Sequence, residues 1–315
     1  MRGGDGTLQR EQVIALLVGC ISPIDFNDWS DRTRVTGPFL ALSTAGDRNC
    51  ALGTSGGDGD EGSVVCWGRD NDQLLETASN SDGSLLAIGA DTACVGGATG
   101  YDCWGLVTPT NGSDGPLEIR AMAMSRNVNP NDPSLLCVST DATTQCYGWD
   151  SGGGSFDSYG EFEGSFDTLA VGGGHIVGLR GERMFESLIV APSDQMVRMS
   201  EVEPAVDVAL FGSQQLLITD EGASTSPVSY GDDLPGDWIA GDIGEDWACV
   251  TEGGPITCFG NAPVDGISAQ GGGFIDVGVG NSHVCGLTED GHIVCEGDDR
   301  YGQAGEPPFS EVVGG

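Results

Sequence analysis

The sequence predicts an all-β fold assembled from repeats. Three observations carry that prediction. A hairpin with a cysteine on each arm recurs along the chain, and a short run rich in Ala, Gly and Val precedes each copy. Glycine and proline number 53 and 14 in 315 residues, which implies many turns. After residue 30 no segment keeps a helical period for a convincing length.

The hairpin is clearest in HVCGLTEDGHIVCEG, residues 283 to 297. Its relatives are DRNCALGTSGGDGDEGSVVCWG from 47, DTACVGGATGYDCWG from 91, LLCVSTDATTQCYG from 135 and DWACVTEGGPITCFG from 246. Two copies lack the cysteines. HIVGL from 175 has Val177 where Cys285 stands, and QLLITDEG from 215 is the most divergent. The preceding runs are FLALSTAG from 39, LLAIGA from 85, IRAMAM from 119, TLAVGG from 168, VDVALFG from 206, WIAGDIG from 238 and FIDVGVG from 274. Seven units spaced by about 39 residues, each with several short strands, predict a seven-bladed β-propeller of four-stranded blades. The small-residue run suits an inner strand crowding a central axis, and the arms of the hairpin supply the next two strands. Residues 39–315 form this repeat domain, and 1–38 are a leader or signal-like segment with an N-terminal extension. FSEVVGG at the C-terminus reads as an eighth inner-strand copy.

Ten of the eleven cysteines pair along the hairpins: Cys50 with Cys66, Cys94 with Cys103, Cys137 with Cys146, Cys249 with Cys258, and Cys285 with Cys295. Opposed residues of an antiparallel pair lie about 4.5 to 5.5 Å apart at Cα, within the span a disulfide accepts. A bridge inside each hairpin is therefore allowed, and each contributes roughly 2.5 to 3 kcal/mol on the chain-entropy account. Reduced cysteines packed as small core residues are the alternative. Zinc is disfavoured because no CxxC occurs. Five bridges imply an oxidising compartment. Cys20 is left over. Leu17-Val18-Gly19-Cys20 resembles a bacterial lipoprotein signal, which implies acylation of Cys20, export and a place at the cell surface; a free thiol or a short amphipathic helix is the other reading.

Twelve basic residues, all arginine, face forty-eight acidic ones, for a net charge of −36. Such a surface repels nucleic acid and anionic membrane. It favours solubility, a basic partner or Ca²⁺. With no lysine, the chain has no Walker-type phosphate loop, Schiff base or lysine general base.

The hairpins and their YGQxG tail resemble the regulator of chromosome condensation repeat family. The resemblance rests on Cys285-Gly286-Leu287-Thr288-Glu289-Asp290-Gly291, on Val294-Cys295-Glu296-Gly297 and on Tyr301-Gly302-Gln303-Ala304-Gly305. Cys66-Trp67-Gly68, Cys103-Trp104-Gly105, Cys146-Tyr147-Gly148 and Cys258-Phe259-Gly260 support it. It implies a seven-bladed propeller whose members serve in nucleotide exchange on small GTPases, in chromatin binding or, in the secreted bacterial type, in protein binding through one face. The acidic charge argues against chromatin, and export argues against a GTPase.

The expected function is thus a non-catalytic, exported, monomeric module that binds a protein or cell-surface partner without a cofactor. Alternatives are an exported hydrolase or lyase using face carboxylates, a surface spacer, and a GTPase exchange factor. The loops between first and second strands gather Asp47, Arg48, Asp91, Arg126, His175, Gln214, Asp246, Trp247 and His283 on one face. Arg48, Trp247 and His283 are the residue types that most often anchor interfaces, although Trp247, beside Ala248-Cys249, also suits the blade interior. Weak calcium candidates are Asp58 and Asp60, and Asp232 and Asp233.

Overall fold

The computed structural model describes residues 38–53, 64–69, 83–89, 92–105, 118–126, 134–149, 157–188, 196–197, 199–226, 234–268 and 273–305. The chain divides into two units, Met1–Arg34 and Val35–Gly315, and every described residue belongs to the second.

The described residues form β-strands and turns without a helix, gathered in seven sheets, one for each repeat. The first blade holds β1 (Phe39–Ala45), β2 (Arg48–Gly53) and β3 (Val64–Gly68). The second holds β4 (Gly83–Ile88), β5 (Thr92–Gly97) and β6 (Gly100–Gly105). The third has β7 (Ile119–Met124), β8 (Ser134–Thr140), β9 (Thr143–Trp149) and β10 (Asp157–Glu163). The fourth begins with β11 (Thr168–Gly172), β12 (His175–Arg180) and β13 (Arg183–Leu188). Then β14 (Met196–Val197) returns to pair parallel with β10, and β15 (Ser200–Pro204) completes the fourth blade. The fifth has β16 (Asp207–Phe211), β17 (Gln214–Thr219) and β18 (Gly222–Ser226). The sixth has β19 (Ala240–Ile243), β20 (Trp247–Thr251), β21 (Ile256–Gly260) and β22 (Gly266–Ile267). The seventh has β23 (Phe274–Val279), β24 (His283–Thr288) and β25 (Ile293–Gly297).

The uniform four-stranded blade expected from the sequence is not seen among the described residues. Two blades have four strands, one has five and four have three.

The ring closes on itself. Each inner strand (β1, β4, β7, β11, β16, β19, β23) contacts the next, and β23 contacts β1. Seven apolar clusters sit between the blades, each bridging one neighbouring pair. The cluster between the last blade and the first joins Leu287 and Ile293 to Phe39 and Trp67. That between the sixth and seventh joins Trp247 and Ile267 to Phe274 and Val284. Burying each such large side chain contributes about 1.5–3 kcal/mol, so inter-blade packing is what holds the blades together.

All five predicted cysteine pairs are bridged, each at directly opposed positions of its hairpin with Cα atoms 4.0–4.1 Å apart. In the two blades without cysteine the equivalent inward positions are Val177 and Leu216, both buried. The glycine that follows the aromatic in Cys66-Trp67-Gly68 has its own cause. At Gly68, φ is 106° and a Cβ would come within 2.3 Å of the Asp47 carbonyl oxygen. Gly297 repeats this at φ 127°, with the Ser282 carbonyl 2.4 Å from the Cβ it would carry.

Candidate functional site

Registers make positions in the seven blades comparable. Directly opposite the cysteine position of the second strand, the inner strands carry Ser43, Ala87, Ala123, Ala170, Ala209, Asp242 and Gly278. All seven line an axial cavity of about 200 Å³. Small residues are required where seven strands converge, and Asp242 is the one exception.

Asp242 is neutralised across the axis. Arg126, just beyond the end of β7, places its two terminal nitrogens 2.5 Å from the two carboxylate oxygens of Asp242. The same guanidinium donates to the carbonyls of Thr44, Leu210, Ile243 and Val279 at 3.2–3.4 Å. Those carbonyls belong to the first, fifth, sixth and seventh blades, so Arg126 spans the axis and closes the cavity at the end carrying the turns between first and second strands. Asp242 also accepts from the Ile243 and Val279 backbone N–H groups at 2.8 and 2.7 Å. With both side chains about a tenth exposed, this is a buried, bidentate pair.

Two more carboxylates line the cavity two residues earlier in the register, Asp207 in β16 and Asp276 in β23. Asp207 accepts from its own neighbour Val208 at 2.9 Å and from Gly241 of the next blade at 3.2 Å. Asp276 accepts from Val277 at 2.8 Å and from Leu42 of the first blade. Each of the three acids therefore ties its inner strand to the following one. Burial pushes the Asp207 and Asp276 carboxyls up to about 7, against the pull of those backbone N–H groups.

The turns between first and second strands do form one end of the ring, but the side chains expected to anchor a partner there lie in several different environments. Trp247 is packed between the sixth and seventh blades. His283 is fully buried, its Nε2 2.8 Å from Asn49 Oδ1, and Asn49 in turn donates to the Gln303 carbonyl at 2.8 Å. Desolvation lowers the His283 pKa to about 4. Arg48 is buried, with Nε donating to the Arg69 carbonyl at 2.7 Å. For Arg48 and His283 the expectation is corrected, and Trp247 takes the blade-interior place that its neighbours also suited: each serves the blade or the closure of the ring, because the second strand is covered on both faces. Arg126 is the axial plug described above. At the rim, Asp47 accepts from Asn281 at 3.2 Å and pairs with Arg69 at 3.6 Å. Gln214 donates to the Glu245 carbonyl at 2.8 Å, and Asp246 is exposed and accepts from Asn261 at 3.0 Å. His175 is half-buried at the same rim. Asp91, the calcium candidates Asp58, Asp60, Asp232 and Asp233, Cys20 and the C-terminal FSEVVGG lie outside the described residues. Among the described residues no cluster of His, Cys, Asp and Glu is arranged to hold a metal ion.

The axial acids were not singled out from the sequence, yet a signal was present. Asp207, Asp242 and Asp276 interrupt inner-strand runs that are otherwise apolar or small.

Residues 274–303 match the family model for the regulator of chromosome condensation (RCC1) repeat. The last repeat is of RCC1 type. This bears out the resemblance where its motif is most complete. Solved structures share the fold over most of the chain. The CRINKLY WD40 ectodomain of the receptor kinase ACR4 from Arabidopsis thaliana superposes with a TM-score of 0.57 at 17% identity, covering 86% of this chain and 99% of that one. The ectodomain of the receptor kinase CR4 from Physcomitrella patens gives 0.55 at 16% identity, with 81% and 72% covered. Human WBSCR16 gives 0.51 at 12%, with 78% and 82% covered. At these identities the likeness concerns the propeller fold. No curated protein matches the sequence.

Proposed function

We propose that this RCC1-type propeller is a non-catalytic, extracellular module that binds a protein partner at one end of the ring. The observation that carries this reading is the plugged axis. A cavity of about 200 Å³ spanned by Arg126 is smaller than the ~300–1,000 Å³ of ordinary ligand pockets. The surface left for recognition is the rigid ends of the ring, where little ordering entropy is lost on association. Five disulfides support an oxidising compartment, and acylation of Cys20 would tether the module to a membrane. Receptor ectodomains with the same fold are in keeping with this use.

The experiment is binding of the oxidised chain to an array of extracellular proteins, followed by cross-linking of each saturable partner. One-to-one binding mapped to an end of the ring supports the reading. Absence of any saturable partner overturns it.

A second reading has an observation of its own. Asp207 and Asp276, two carboxyls held up to about 7 in an axial cavity, suit acid–base work in a hydrolase or lyase. Each carboxylate already accepts two backbone N–H groups, which is a structural use. Turnover of a glycan or ester panel, lost on Asp207→Asn or Asp276→Asn, would favour this second reading.

A further inference from the structure

At the end of the ring opposite Arg126, the residue preceding the regular inner-strand register is a large, exposed aliphatic in four consecutive blades. These are Val206, Ile239, Ile275 and Leu40, exposed by 49%, 47%, 42% and 54%. The equivalent residues of the second, third and fourth blades are Ser84, Arg120 and Asp167, all exposed and polar. An apolar crescent thus occupies one side of this end, and nothing in the folding of the blades requires it.

The tips of the hairpins between second and third strands border the crescent. The start of an inner strand hangs from the tip of the preceding blade: Phe274 N–H donates to Gly254 at 3.2 Å and Phe39 N–H to Gly291 at 2.9 Å. Ile275 and Leu40 follow these two residues directly. Ile239 Cδ1 lies 3.5 Å from the Cβ position of Gly253 in the same tip as Glu252. The tips of the fifth, sixth and seventh blades carry Asp220 and Glu221, Glu252, and Glu289 and Asp290, all exposed. Between Ala205 and Gly305 the sequence has a single arginine, Arg300, and it pairs with Asp298 at 2.7 Å. At the Val206 end the neighbouring tip of the fourth blade carries Arg183, opposite Pro204 and paired with Glu201 at 3.6 Å.

We infer that this crescent docks a cationic amphipathic segment of a partner protein, its aliphatic side chains on Val206, Ile239, Ile275 and Leu40 and its Lys or Arg side chains on the acidic tips. Apolar contact supplies the buried area and the tips supply orientation and rate. The inference rests on the protein-binding reading above and specifies its face and its partner chemistry.

The test uses the full oxidised chain and three labelled peptides of equal length: one of leucine and lysine, one of serine and lysine, and one of leucine and glutamate. Fluorescence anisotropy reads the dissociation constant. The leucine–lysine peptide is expected to bind, and the other two at least tenfold more weakly. The triple change Val206→Ser, Ile239→Ser, Ile275→Ser should weaken it tenfold or more, as should Glu252→Gln with Glu289→Gln and Asp290→Asn. Glu245→Gln with Asp246→Asn, at the other end, should change it less than twofold. All these positions are exposed, and an unchanged thermal midpoint verifies folding. Equal binding of the serine–lysine peptide overturns the inference, as does equal loss in the opposite-end variant or no loss in the crescent variants. A saturable extracellular partner cross-linked only to the Arg126 end would leave the protein-binding reading standing and sink this inference alone.

Discussion

Arg126 and Asp242, 116 residues apart in sequence, meet on the propeller axis through two parallel 2.5 Å contacts. The carbonyls around the guanidinium come from four blades. The pair therefore reports on the whole ring and not on one blade. Removing one partner leaves a buried charge without its opposite charge. Arg126→Ala or Asp242→Ala is expected to destabilise by about 3 kcal/mol or more. Arg126→Lys should recover only part of this, because an ammonium cannot reach both oxygens and the carbonyls together. Urea unfolding of the oxidised protein measures it, with the midpoint shifting while the slope stays constant.

His283 sets a pH dependence. Its folded pKa of about 4 lies below the unfolded value of 6.5, because burial disfavours the imidazolium. The unfolded chain takes up the proton first on acidification. The contribution of neutral His283 is fully present above pH 6.5 and is lost as pH falls towards 4. His283→Asn is expected to flatten the stability profile between pH 6.5 and 4, read from thermal midpoints across that range.

Asp207 and Asp276 act with the opposite sign. Their folded values near 7 exceed the unfolded 3.8, so the folded state holds protons that the unfolded state has released. Their contribution is fully present below pH 3.8 and lost as pH rises through 7. In Asp207→Asn the decline between those values should become shallower, and at pH 7.5 the variant should be no less stable than the parent relative to pH 5. A steeper decline would contradict the protonation assigned to the axial carboxyls.

How much was legible beforehand follows from what local pattern encodes. The cysteine hairpins and the run ahead of each one are local, and they placed the seven blades and five bridges correctly. The outer edge was less legible: among the described residues β14 pairs with β10 across intervening sequence. Trp247 and His283 sit next to a turn, which suits a face residue, and Trp247 suits the blade interior as well. In the fold that position opens a strand buried on both sides. The Arg126–Asp242 pair could not be read at all. It exists only once the ring has closed and set a turn of the third blade against an inner strand of the sixth.

Glycine at the end of the third strand gives a test that separates backbone geometry from packing. Gly297 has φ 127°, and a Cβ there would meet the Ser282 carbonyl at 2.4 Å and His283 Cα at 2.6 Å. Both obstacles are backbone, one in the turn just before β24 and one at its first residue, so neither can step aside without opening the ladder between β24 and β25. Gly254 lies in a hairpin tip at ordinary φ with nothing within 4 Å of its Cβ position. Gly297→Ala is expected to cost about 2 kcal/mol or more, because a side chain rarely adopts that conformation and this one also clashes. Gly254→Ala should be within about 0.5 kcal/mol of the parent or slightly stabilising, since it removes freedom only from the unfolded chain. Paired urea titrations under oxidising conditions compare them. Equal effects of the two would mean that the glycine closing each cysteine hairpin is dispensable to the backbone.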